Sequence, residues 1–173
     1  MNSEFTIRLV KQADDQEVKE VILAILEEEF PAEERAFLST DIENVSKSYS
    51  SNGEVFFVAC DDGAIIGTVG IKREDERNAL LRRIFVKSDY RGKKIGFQLI
   101  QRAIQFCQEK GYGEIIFKTT SRMKDAIRLC EANGFVRKAT IQLGDLDLFK
   151  FTIHLNKDKN HVLVSEKEKR RKP

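Results

Sequence analysis

A mixed α/β fold is predicted, with a mostly antiparallel sheet, one parallel pair of strands at its centre and flanking helices. Three observations predict it. Apolar residues alternate in some segments and recur at helical spacing in others, in the order β-α-α-β-β-β-α-β-α-β-β. A turn at Asp61-Asp62-Gly63 joins two apolar runs as a hairpin, which is antiparallel. A helix separates the run ending at Val86 from the one starting at Glu114, and a helical crossover makes that pair parallel.

The elements follow in order. Phe5, Ile7 and Leu9 alternate with polar residues, as in a half-buried strand. Asp14 opens a helix, with Glu17 three residues on as a capping box. Val18, Val21, Ile22, Ile25 and Leu26 form its apolar stripe, and Pro31 interrupts the pattern. A second helical stretch runs from Thr40 through Ile42 and Val45 towards Tyr49, and Ser50 to Gly53 is a loop. Val55–Cys60 and Ala64–Ile71 are the hairpin strands, and Lys72 to Asn78 is a charged connection. Ala79–Val86 is apolar enough to be buried on both faces. The next helix carries Ile100, Ala103, Ile104 and Cys107 on one face, and Gly111 closes it. Glu114–Thr119 is a strand. Met123, Ala126, Ile127 and Cys130 are the stripe of a short helix ended by Gly134. Val136–Leu143 and Leu146–Leu155 are the last two strands.

The chain has 173 residues, enough for a substantial core, and residues 1–155 are expected to form one domain. The polar stretch 156–173 is expected to be a disordered tail. A net charge of +2 without a clustered basic surface argues against nucleic acid as the partner. No apolar run reaches membrane-spanning length, and the N-terminus lacks the pattern of a signal peptide. Cys60, Cys107 and Cys130 are widely spaced and form neither a metal pattern nor a disulfide framework, so a cytoplasmic location is expected and no metal.

The segment with the most chemical content is Arg91-Gly92-Lys93-Lys94-Ile95-Gly96. It is a glycine-bearing, cationic turn between a strand and a helix. Such a turn aims several backbone N–H groups at one point, and the helix N-terminus adds about half a positive charge there. Phosphate is the matching ligand.

These residues resemble a known family, the GNAT-superfamily N-acetyltransferases. Leu81-Arg82-Arg83-Ile84-Phe85-Val86 followed by Tyr90 to Gly96 resembles the family's strand four and pyrophosphate loop. Ala126 to Phe135 resembles its second motif, and the element order agrees over nearly the whole domain. The resemblance implies a GNAT-like fold in which parallel strands four and five splay apart. It implies acetyl-CoA, or another acyl-CoA, as cosubstrate and an amine of unknown identity as acceptor. The pantetheine arm would pair with backbone groups of Ile84, Phe85 and Val86. The N–H groups of Arg91, Gly92, Lys93, Lys94, Ile95 and Gly96 would hold the pyrophosphate. A monomer or homodimer is expected.

Three positions depart from the family pattern. Lys94 stands where the loop usually has glycine. Met123 stands near the asparagine that usually begins the second motif. Cys130 stands where a tyrosine usually protonates the departing CoA sulfur. Cys130 has two readings. It is a general acid, since a thiol with a reference pKa of about 8.5 can donate a proton, or it is a small core residue on its helix stripe. The acidic stretch Glu27 to Glu29, with Glu33 and Glu34, is a solvated face or borders the acceptor pocket. Glu74 to Glu76 is a second acidic candidate, and Leu80 stands where relatives often have glutamate. The losses at Met123 and Cys130 leave open an acyl-CoA-binding module with little or no transferase activity.

Overall fold

The computed structural model describes residues 4–33 and 39–156. Seven strands form one sheet in the order β1-β2-β3-β4-β5-β7-β6. They are β1 (Thr6–Leu9), β2 (Val55–Asp61), β3 (Ala64–Arg73), β4 (Asn78–Val86), β5 (Glu114–Thr120), β6 (Val136–Leu143) and β7 (Leu146–His154). Only β4 and β5 run parallel; every other neighbouring pair is antiparallel. Among the described residues the α-helices are α1 (Asp15–Glu29), α2 (Val45–Ser48), α3 (Ile95–Glu109) and α4 (Lys124–Ala132). The fold class is the one the sequence predicts. The expected tail lies, apart from Asn156, outside the described residues, as does Glu34.

The sheet has a core on each face. On one, Leu99, Ile100, Ala103 and Cys107 of α3 pack on Phe57, Val69, Leu81 and Ile115. On the other, Val18, Ile22 and Leu26 of α1 pack with Tyr49, Phe56, Val58 and Phe85. This is why the central strands β2 and β3 are apolar almost throughout. In the hairpin between them, Asp62 and Gly63 both take positive φ, 48° and 81°, which fits the right-handed twist of the flanking strands. Beyond β5 the protection thins, and β6 is an edge strand exposed along its whole length.

Two local expectations change. Glu17 does not complete a capping box. Its carboxylate accepts from the N–H of Ile65, 2.8 Å away on β3. Asp14 instead accepts from the N–H of Lys11 at 2.7 Å and from both terminal nitrogens of Arg8, and a 3-10 turn over Gln12–Asp14 precedes α1. Arg8 therefore takes the carboxylate that would have capped the helix. The stretch from Thr40 to Tyr49 is two short pieces, a 3-10 turn over Thr40–Ile42 and then α2, because Asn44 turns its side chain onto the Lys47 N–H and starts a new helix there.

Two irregularities shape the centre of the sheet. The β4–β5 ladder has only three paired positions and ends at Leu80 and Ile116. After Leu80 the strands diverge, and β5 continues to pair with β7 through Thr120. In β4 the register against β3 slips, and Arg83 takes a positive φ of 55° at the bulge. The bulge twists the C-terminal half of β4 away from β5. The Arg83 carbonyl accepts from the Thr68 hydroxyl at 2.7 Å, which fastens the kink to β3.

Candidate active site

A cleft of about 660 Å³ opens where β4 leaves β5. Ile84, Phe85 and Val86 form one wall; Arg91, Gly92, Lys94, Ile95 and Gly96 form its end; Ala126 and Leu129 of α4 form the other wall. Its volume suits a large organic ligand. The residues singled out in the sequence for cofactor binding thus come together here, apart from Lys93. That side chain does not line the cleft; its ammonium sits 5.1 Å from the Tyr90 ring centre.

The end of the cleft presents backbone donors without partners among the described residues. The N–H groups of Gly92, Lys93 and Lys94 donate to no backbone acceptor among the described residues, and no side chain caps α3. The first N–H groups of any helix lack a partner within it. Donors in the loop and in the first turn of α3 are therefore available together. Lys94 reaches this geometry in the left-handed region, at φ 64° and ψ 15°, even though it is not glycine. Gly92 also has positive φ, 77°, and an added Cβ would meet nothing within 4 Å, so the space over the loop is open. Gly96 is crowded instead: an added Cβ would lie 2.6 Å from Leu129 Cδ1. Absence of a side chain at 96 lets α3 and α4 approach and leaves Leu129 on the cleft wall.

Arg91 is positioned differently from its neighbours. Its guanidinium makes a bidentate ion pair with Glu29 at the end of α1, with Nη2 2.6 Å from Oε2, and donates from Nε to the Val86 carbonyl at 3.1 Å. Asp125 of α4 approaches to 3.5 Å. The hydrogen bond that Arg91 donates to Glu29 raises the Arg91 pKa further, against a smaller opposing effect of burial. Arg91 thus ties the loop to both sides of the cleft, and Glu29, in a run that reads as solvated, is its partner. Glu33 likewise is buried against Arg122, 2.9 Å apart. Glu74 to Glu76 lie in the turn before β4, at the end of the strand away from the cleft.

Cys130 is fully buried in the core beside α3 and is not among the residues lining the cleft. Burial pushes its thiol pKa well up. That environment favours packing over proton donation.

A second, smaller cavity of about 230 Å³ adjoins the first. The two share Ile84, Phe85, Met123 and Ala126, and the smaller extends back along the gap between Leu80 and Phe85 on β4 and Phe117 to Thr119 on β5. Met123 thus lies at the junction. No carboxylate lines the smaller cavity among the described residues.

The acetyltransferase (GNAT) family model matches residues 19–135, a span that includes β4, the loop, α3 and α4. The chain belongs to the GNAT acetyltransferase family. Human N-acetyltransferase 8B is 30% identical over 130 residues, covering 68% of this chain and 57% of that protein. The zebrafish (Danio rerio) N-acetylaspartate synthetase is 35% identical over 102 residues, 58% of this chain and 36% of that one. The chain spans about half the length of the first vertebrate relatives it matches. A GNAT-family acetyltransferase from Staphylococcus aureus Mu50 superposes with a TM-score of 0.76 at 26% identity, over 88% of this chain and all of that one. The PaiA N-acetyltransferase of Thermoplasma acidophilum, solved with coenzyme A, superposes with a TM-score of 0.74 at 19% identity, over 88% of this chain and 99% of that one. This GNAT domain therefore carries the family's fold from β1 through β7. Among its described residues no helix is long and apolar enough to cross a membrane.

Proposed function

We propose that this chain is an N-acetyltransferase that moves an acetyl group from acetyl-CoA to a primary amine by direct attack in a ternary complex. The observation that carries the reading is the junction of the two cavities at Ile84 and Phe85, with free loop N–H groups at the far end of the larger one. The pyrophosphate takes the donors of Gly92 to Gly96. The pantetheine arm lies along β4 where β5 has left it, and its amides satisfy the open strand edge. The thioester then sits at the junction, and the amine enters from the smaller cavity.

A free amine has a pKa near 10.4 and must lose a proton before it attacks. With no carboxylate lining the smaller cavity among the described residues, water carries that proton away. A backbone N–H near Phe85 or Val86 steadies the oxyanion. CoA departs as a thiolate of pKa about 8.5, a tolerable leaving group that water protonates. Cys130 then packs the core rather than acting as the acid. Three unpaired thiols fit a reducing compartment such as the cytoplasm.

Among the described residues no acid or base lines the junction, which favours one rival, a domain that binds acyl-CoA without transferring the acyl group. Thiol release from acetyl-CoA with a panel of primary amines separates the two, with the acetylated product checked by mass spectrometry. Amine-dependent release supports the transferase. Tight CoA binding without release on any amine supports the rival.

A further inference from the structure

We infer that the acceptor is a small acid, an amine that also carries a carboxylate, held by cations on the sheet beside the smaller cavity. The inference rests on the reading of that cavity as the acceptor site. Side chains alternate along a strand, so Arg82 on β4, Lys118 on β5 and Lys150 on β7 share the sheet face opposite α3. Lys118 and Lys150 are direct cross-strand partners. Both side chains are exposed, and like charges directly opposite one another on a sheet repel, an effect that an anion beside them relieves.

Among the described residues the local carboxylates do not balance this row. Asp41 answers Arg83, with Arg83 Nη2 2.6 Å from Oδ1, and the same carboxylate is the one that approaches Arg82, at 3.8 Å. Glu33 is committed to Arg122. Arg83 itself lines the smaller cavity, is 5% exposed, and buries its Nη1 without a hydrogen-bond partner among the described residues. An unsatisfied, buried guanidinium nitrogen calls for an acceptor oxygen. On the same face as Lys118 and Lys150, the hydroxyls of Thr120 and Thr152 are also buried without a partner. Among the described residues the cavity lining therefore offers cationic donors, from Arg82, Arg83 and Lys118, and no carboxylate acceptors. A carboxylate supplies them, and Arg is suited to bind it by two parallel hydrogen bonds. Three residues of strand, roughly 10 Å, separate Arg82 from Phe85 at the junction. An extended arginine and a small acid together span that distance, which leaves the amine facing the thioester.

Two arms test this separately from the donor reading. In the first, acetylation of free amino acids is compared with that of their primary amides, in the wild type and in Arg82→Gln and Lys118→Gln. The acids are expected to have a KM about 10- to 100-fold lower than the amides, from charge-assisted hydrogen bonds. Each variant should raise KM for the acids, change kcat little, and leave the amides unaffected. Equal use of acids and amides, or variants that act alike on both, overturns the inference while the donor reading stands. The second arm needs no turnover. Ligand-observed NMR compares binding of N-acetyl-amino acids and their neutral amides, with CoA present. Preference for the acids, lost in both variants, supports the inference. No preference overturns it, whatever the CoA titration shows. Thermal melts of the variants matching the wild type exclude misfolding as the cause.

Discussion

Arg83 and Asp41 form a buried ion pair, Nη2 2.6 Å from Oδ1 and Nε 3.1 Å from Oδ2, although 42 residues separate them in the chain. The Tyr49 hydroxyl donates to the same carboxylate at 2.6 Å. Arg83 is the bulge residue of β4, and Asp41 lies in the 3-10 turn after α1. The pair therefore fastens the kink that opens the cleft to the segment that covers the other face of the sheet.

Replacing Asp41 by Asn leaves the Arg83 charge buried without its counter-ion. The expected loss is about 3–5 kcal/mol of stability at neutral pH. Burial pushes the Asp41 pKa up, but hydrogen bonds from Arg83, Ser39 and Tyr49 outweigh it and hold the carboxyl well below the usual range. With the folded pKa depressed, this stabilisation is fully present above the unfolded pKa of about 3.9 and is lost as pH falls below it. Denaturant unfolding of both proteins should therefore show a wide gap at pH 7 that narrows below about pH 4. A gap that does not change with pH would remove the ion pair from the explanation.

Lys94 holds a left-handed conformation at φ 64°, which costs an L-residue roughly 1–2 kcal/mol. Glycine removes that strain but adds backbone freedom to the unfolded chain, so Lys94→Gly should match or exceed wild-type stability by up to about 1 kcal/mol. The same change removes a cation beside the phosphates, and CoA should bind a few-fold more weakly at low salt. Melting temperature and CoA affinity should thus move in opposite directions, or affinity alone should fall.

Gly96→Ala acts on the cleft rather than on φ. The new methyl meets Leu129 Cδ1 at 2.6 Å and Cδ2 at 3.2 Å, and Leu129 must swing towards the cavity it lines. Stability should fall by about 1–3 kcal/mol. Calorimetric CoA affinity should fall about 10-fold or more, whereas an unchanged affinity would show that Leu129 does not border the ligand.

Cys130→Ala separates packing from proton donation. A general acid is worth about 10²- to 10⁴-fold in rate. The buried thiol, its pKa pushed up by desolvation, should contribute none of this. We expect kcat within about three-fold of wild type and an unchanged pH–rate profile, with a lower melting temperature. A hundred-fold fall in kcat would restore the thiol as the acid.

Element order was legible because period-two and period-3.6 patterns report burial, and the central strands are buried on both faces. Asp62-Gly63, Gly111 and Gly134 marked their turns because each Gly has positive φ. The loop from Arg91 to Gly96 was legible because a cationic, glycine-bearing strand-to-helix turn has few alternative uses. What could not be read was the long-range pairing of carboxylates. Glu17 meets Ile65 across 48 residues, and Glu29 meets Arg91 across 62. No local pattern announces such partners. Nor did the apolar run of β4 reveal that one of its two arginines would turn inwards at a bulge, since two adjacent arginines read alike until a register slip distinguishes them.

The central claim is that the cleft at the end of β4 is a site for acetyl-CoA, and a thermal-melt titration tests it most directly. Acetyl-CoA and free CoA at 100 times their dissociation constants should each stabilise the protein by about 2.7 kcal/mol, with little effect of ATP at the same concentration. No shift at saturating acetyl-CoA, or an equal shift with ATP, would contradict the assignment and reduce the Arg91–Gly96 loop to a basic helix cap.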